Sequence, residues 1–401
     1  MAGPRAWVNL AWSISGQSGR GSQGALMRVL YGVVGEGLGH ATRSAVVIEH
    51  LLAEGHQVHV VVSGRAYGFL AEAFSGHRAF SLDEIHGLSL AFSDGEMDLM
   101  RTVGRNLRDL PEGLVKNIEV YFEVAERGFR PEVVISDFES WAYYYGLNHQ
   151  LPVISIDNMQ IINRCHHGDE ETGGRDTDFR LAKALVKSKL PGAYHYLITT
   201  FFTPTVRKER TSLVPPIVRA AVQAAEPAAG EHLLIYQSGA AAEDLLEVLG
   251  RFPHQPMRIY GLDRTGREGH LQFMPFSDQG FVEDLRTCKA VVASAGFSLI
   301  GEALHLGKPM LVMPLAGQFE QVMNGRYLAK EKYGAWVERL DAEALADFID
   351  HLPLYQQALQ HYPAEGNDML FGLLDELFDD LHHGEPAPAF LAAPALGKYE
   401  V

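Results

Sequence analysis

Short apolar runs alternate with amphipathic stretches along most of this chain. Residues 28–34, RVLYGVV, form a β-branched run that reads as a buried strand. Residues 41–55 follow with Val47, Ile48, Leu51 and Leu52 at helical spacing, and Gly55 supplies a stop signal. HQVHVVVSG (56–64), PEVVISD (131–137) and LPVISIDN (151–158) read as further strands, and SWAYYYGLNHQ (140–150) as a helix between two of them. A second series starts at LLIYQSG (233–239). It continues through MRIYGL (257–262), LQFMPF (271–276), AVVASAG (290–296), the helix SLIGEALHLG (298–307), the strand PMLVMPL (309–315) and the helix FEQVMNGRYLAKEKYG (319–334). Repeated strand–helix–strand units imply a parallel sheet covered by helices on both faces.

The pattern breaks around residues 201–232, where prolines, alanines and mixed charge replace it. The expected organisation is therefore two doubly wound α/β domains facing a cleft. Residues 1–26 read as a disordered leader, 27–204 as the first domain, 205–230 as a linker, 231–384 as the second domain and 385–401 as a flexible tail. The last helix, around 375–383, is a candidate to pack back on the first domain.

Composition changes this picture little. A chain of 401 residues is long for one core and suits two. Its net charge of −16 argues against nucleic acid as a partner, because that requires a basic field. No apolar run reaches the length of a membrane span, which leaves only peripheral membrane contact open. With two cysteines, Cys165 and Cys288, a reducing compartment and a cytoplasmic location are expected.

Chemistry concentrates in two loops. In the second domain, the strand ending at Ala293 is followed by Ser294, Ala295 and Gly296 and then a helix start. Free backbone N–H groups there can hold a phosphate, and Glu302 lies about one helical turn further on. The stretch GFSLIGEALHLGKPMLVMPLAGQFEQVMNGRYL resembles the nucleotide-sugar signature of GT-B fold glycosyltransferases. It is similar to the UDP-glycosyltransferase superfamily and to the lipid II-forming GlcNAc transferase. The shared features are Gly296 and Ser298, Glu302-Ala303-Leu304, Gly307-Lys308-Pro309, Pro314, Glu320-Gln321 and Asn324.

The resemblance implies a GT-B fold of two Rossmann-like domains and transfer of a hexose-type sugar from a nucleotide-sugar donor. By motif position, Gly296, Phe297 and Ser298 would hold the diphosphate and Glu302 the ribose. Glu320 and Gln321 would reach the sugar hydroxyls, supported by Asn324. Ser238 and Gly239 match the family's phosphate-side loop, and Phe276 either stacks on the base or packs in the core. A histidine that many relatives place before the donor helix is absent here.

In the first domain, GEGLGHATRS (35–44) follows a strand. A dinucleotide loop would need a third glycine after two intervening residues and an acid ending the second strand. Here the spacing is Gly35, Gly37, Gly39, and that strand ends in Ser63-Gly64. The loop instead resembles a bacterial and archaeal set of GT-B enzymes with G-x-G-x-G-H-x-x-R. Glycosyl transfer requires an acceptor hydroxyl to lose a proton, a task suited to a neutral imidazole. His40 is the candidate base. Asp137 either orients its ring or caps the following helix. Gly37, Gly39, Arg43, Asp157 and Asn158 are expected on the acceptor side, with Arg43 either holding an anionic acceptor or phosphate or making a surface salt bridge.

Two decoys stand apart. Asp176-Thr177-Asp178 has a D-x-D pattern but reads as a solvated loop, and Cys165, His166, His167 and Asp169 lack a second ligand cluster. The expected activity is thus inverting and metal-independent with no cofactor, taking a UDP-sugar (or dTDP-sugar) to a lipid carrier, glycan or small metabolite. A sugar-nucleotide epimerase and a non-catalytic sugar-nucleotide-binding protein are the alternatives.

Overall fold

A computed structural model describes residues 26–35, 38–87, 92–93, 96–97, 99–174, 177–237, 242–262, 264–275 and 277–384. Among the described residues the alternating pattern becomes two seven-stranded sheets, beside a small antiparallel pair of Phe92–Ser93 and Glu96–Met97. Across the first sheet the strands run Phe80–Glu84, Gln57–Val62, Arg28–Val33, Val133–Asp137, Val153–Asp157, His195–Thr199 and Thr211–Val214, all parallel. Across the second they run Gly266–Glu268, Leu271–Phe273, Met257–Tyr260, Leu233–Tyr236, Ala290–Ala293, Met310–Val312 and Gly334–Trp336. Only the first of these is antiparallel to its neighbour.

Strand alternation assigns the helices to faces. Val29, Tyr31 and Val33 pack with the helices Leu38–Ala53 and Arg65–Ala73, whereas Leu30 joins the core under Leu99–Glu126, Ser140–Asn148 and Thr177–Lys189. That latter core runs on without a break into the second unit, through Phe297, Ile300 and Tyr327. Phe202 of the first unit stacks on Tyr327 at 3.6 Å between ring centres, so the two sheets share buried apolar surface.

Two details differ from the sequence expectation. Thr211–Val214 pairs with His195–Thr199, so the first sheet continues past residue 204 into the expected linker. Four residues between a charged stretch and two prolines are too short to show a period. Thr177 and Asp178 open a helix rather than lying in a loop, and Asp176 lies outside the described residues. The last helix, Asp368–His383, lies on the first unit. Leu370, Leu374 and Phe378, four apart, are buried there, and His50 stacks on Phe371 at 4.0 Å. Asn367 anchors its start by exchanging two hydrogen bonds with the Val218 backbone, at 2.9 and 2.8 Å.

The chain order reverses beside Arg28–Val33 and Val133–Asp137 in the first sheet, and beside Leu233–Tyr236 and Ala290–Ala293 in the second. Crevices at the carboxyl ends of such strands are where ligands bind in open α/β sheets. Gly35 sits at the first of them for a steric reason. A Cβ there would lie 1.9 Å from the Ser63 carbonyl oxygen, so the loop makes room for its own chain. Gly35→Ala is expected to destabilise the protein by about 3 kcal/mol or more, read as a lowered urea midpoint with unchanged slope.

Candidate active site

The helix Leu38–Ala53 begins at the reversal point of the first sheet, and three residues on one of its faces converge on one carboxylate. His40 Nδ1 lies 2.9 Å from Asp137 Oδ1. Arg43 Nε donates to Asp137 Oδ2 at 2.8 Å, its Nη2 donates to Oδ1, and Ser44 Oγ donates to Oδ2 at 3.0 Å. Asp137 is free for this because Glu139 caps the following helix instead, accepting from Trp141 N and Ala142 N at 2.8 and 2.7 Å. Between the two acids Phe138 takes φ 56, a left-handed conformation that a non-glycine residue adopts at a cost.

The Asp137 side chain is 1% exposed, that of Arg43 5% and that of His40 20%. Burial alone would raise the Asp137 pKa, but Arg43 and His40 more than offset it and hold the carboxyl below its usual range. The His40 pKa is lowered, first by burial and then by the Arg43 charge, with Asp137 opposing both. Arg43 Nη2 lies 2.7 Å from His40 Nδ1. A guanidinium cannot accept, whereas Asp137 can accept from both nitrogens. We therefore assign the proton to Nδ1, which leaves the Nε2 lone pair free.

The second unit meets this group across the cleft. Its helix Phe297–His305 starts at Gly296 with no side-chain cap, and neither this helix nor Leu38–Ala53 has an acid in its first turn. Ser298 Oγ donates to the Gly39 carbonyl at 3.1 Å, so the two helix starts face one another. A Cβ on Gly39 would come 3.2 Å from that Oγ, and one on Gly296 would meet nothing within 4 Å. The positively polarised starts of the two helices thus border one space, and the one at Gly296 carries no side-chain cap. Phe297 itself is buried in the shared core, so only its backbone can serve there.

Glu320 closes the group. Asn324 Nδ2 and Asn158 Nδ2 donate to its Oε1 at 2.6 and 2.7 Å, and Asn158 Oδ1 accepts from Arg43 Nη1 at 2.6 Å. Asn324 also donates to the Ala295 carbonyl at 3.0 Å, tying the 294–296 turn to Glu320. Burial raises the Glu320 pKa, partly offset by Asn324, Arg43 and Asn158. One hydrogen-bonded chain therefore runs from His40 through Asp137, Arg43 and Asn158 to Glu320.

Several expected site residues have other partners. Arg43 does not lie on the surface: its side chain is 5% exposed and its guanidinium is bonded to Asp137 and Asn158. Asn158 is buried between Arg43 and Glu320. Asp157 is buried too, accepting from Ser155 Oγ at 2.6 Å and Gln160 N at 2.8 Å, and burial raises its pKa to about 6. Gln321 accepts from Leu315 N at 3.0 Å and donates to Gln318 at 2.6 Å. Glu302 is clasped by Arg219 through bonds of 2.6 and 2.8 Å. Gly37, Ser238, Gly239 and Phe276 lie outside the described residues.

His167, from the CHHGDE stretch, bonds Tyr327 of the second unit at 2.7 Å and the Ile161 carbonyl at 2.9 Å, so it links the units. No cluster of His, Cys, Asp or Glu suited to a metal ion occurs among the described residues. No helix among them is long and apolar enough to cross a membrane.

The profile of a family described as Glycosyl transferase family 1 matches residues 27–353. An uncharacterized glycosyltransferase of Methanosarcina acetivorans is 25% identical over 339 residues, which is 77% of this chain and 85% of that protein. The crystal structure of LpCGTa in complex with UDP superimposes with TM-score 0.62 at 16% identity, covering 90% of this chain and all of that one. The glycosyltransferase SsfS6 of Streptomyces sp. SF2575, complexed with thymidine diphosphate, gives TM-score 0.59 at 15% identity, over 87% and 99% of the two chains. These likenesses have the fold described above.

Proposed function

The chain belongs to glycosyl transferase family 1 and is a GT-B glycosyltransferase, and from that premise we propose that it is an inverting enzyme that uses a UDP- or dTDP-sugar without a metal ion. The observation that carries this reading is the opposition of His40, with its Nε2 lone pair, to the uncapped helix start at Gly296. An acceptor hydroxyl in the cleft gives its proton to His40 Nε2 as its oxygen attacks C1 of the sugar. The bond from C1 to the diphosphate oxygen breaks, and the leaving charge meets the backbone N–H groups of Phe297 and Ser298. Attack opposite the leaving group inverts the anomeric centre.

Glu320, held by Asn158 and Asn324, is the proposed partner of the sugar hydroxyls, taking them in place of one amide. Glu302 in the grip of Arg219 is the proposed ribose site, with Gln321 behind Glu320. Gly37, Ser238, Gly239 and Phe276, outside the described residues, keep the loop and base-side roles that the motifs imply. A donor hydroxyl or phosphate competing for these groups is tested by titrating the protein with UDP and dTDP calorimetrically. Binding of both, weakened by Glu302→Ala, supports the assignment, and unchanged affinity removes Glu302 from the site.

The lowered pKa of His40 sets the pH dependence. The active imidazole is the neutral one, so activity falls only as pH drops through a value below the ordinary 6.5 of histidine. A rate profile with its acid limb under pH 6.5 is expected.

A further inference from the structure

Arg43 is a charged group almost wholly withdrawn from water, and its donors are divided between two residues of the active site. It reaches Asp137 with Nε and Nη2, and Asn158 with Nη1, which passes the connection to Glu320. An oriented histidine–carboxylate pair needs one partner for the ring, and Asp137 already supplies it. A second, permanently charged partner on the same carboxylate changes the pair. The negative charge that would draw a proton onto the imidazole is instead matched by a guanidinium lying 2.7 Å from that ring.

We propose that Arg43 is a positioning residue of the transfer site: it fixes the Asp137 carboxylate with two bonds, takes up its charge so that His40 waits as the free base, and joins that pair through Asn158 to Glu320 on the opposite unit. This deepens the proposed function and rests on it for the role of His40. The groups around the imidazole bear this out. Arg43 stands on its own helix, Asp137 on the neighbouring strand, and Lys189 on the helix Thr177–Lys189. Two of the three are cations. Farther along, the charges of Asp157 and Glu320 favour the charged guanidinium. An anion-binding role for Arg43 would need a free edge on the guanidinium, whereas each of its three nitrogens already meets an acceptor.

Titration of the His40 ring by NMR, without substrate, in the wild type, Arg43→Gln and Arg43→Lys tests this. His40→Ala identifies the signal. In Arg43→Gln the titration midpoint of His40 is expected to rise by about one unit or more, because the nearest repelling charge is gone. In Arg43→Lys it stays within about half a unit of the wild type, because the charge remains. A purely structural arginine would leave the midpoint unmoved in the glutamine variant, and that result overturns the proposal. If the glutamine variant does not fold, Arg43→Met, which keeps the side-chain length without the charge, takes its place. A His40 midpoint higher there than in the lysine variant supports the proposal, and equal midpoints overturn it. The readout uses no donor, so failure of the transferase reading leaves this result intact, and loss of the shift leaves the transferase reading intact. Asp157, whose pKa burial raises to about 6, is kept apart from this titration by observing the ring directly.

Discussion

His40→Ala is expected to lower turnover about 1,000-fold while leaving UDP affinity within about twofold of the wild type, because a positioned general base contributes roughly 10²–10⁴ in rate. The two halves of that prediction come from two parts of the molecule. The imidazole belongs to the first unit and is bonded to Asp137, whereas the expected diphosphate site is the helix start at Gly296 in the second. The side chain is 20% exposed and lies in the first turn of its helix, so its removal opens space at the cleft rather than in a core. Steady-state rates together with calorimetric UDP titration check both halves. Undiminished turnover would take His40 out of the mechanism, and lost UDP binding would show that the helix starts are not independent.

Asp137→Asn is expected to be the most damaging single substitution to stability. It removes one of the two oxygens that accept from His40, Arg43 and Ser44 and leaves the Arg43 charge buried without its counter-ion. Breaking a buried pair in this way costs about 3–5 kcal/mol, more than most core truncations by one methylene. The asparagine Nδ2 also places a donor where two donors already point. Urea denaturation at neutral pH measures the loss. The direction with pH follows from the depressed Asp137 pKa. A carboxyl held below its unfolded value, near 4, contributes its full stability above that value and loses it as pH falls further. The gap between wild type and Asp137→Asn is therefore flat from neutrality to about pH 5 and narrows below about pH 4.

The alternating pattern made the two sheets legible because buried parallel strands and amphipathic helices carry different periods. The helix after Gly296 and the strand end at Asp137 were legible for the same reason, since a glycine or an acid closing an apolar run marks a boundary. His40, Arg43 and Ser44 share a helix face by spacing alone. What that face meets was not legible. The bonds from Arg43 to Asp137 and Asn158 span 94 and 115 residues, and nothing in ATRSAVV distinguishes a buried arginine from a solvated one. The same holds for Arg219 on Glu302, 83 residues away, and for Asn158 on Glu320, 162 residues away. Each is an agreement between two elements that the fold brings together. Gly35 shows the converse: a glycine in a functional-looking loop is required by the Ser63 backbone behind it.

Cleavage of the sugar–diphosphate bond of a nucleotide-sugar with inversion of the anomeric centre is the reaction proposed for this glycosyltransferase. It is tested most directly by incubating the protein with a panel of α-linked UDP- and dTDP-sugars, with water or simple alcohols as acceptor, and following the products by proton and phosphorus NMR. The expected products are free UDP or dTDP and a β-configured sugar formed first, both lost in His40→Ala. An intact UDP-sugar converted to its epimer, or a product that keeps the α-configuration, would contradict the proposed reaction.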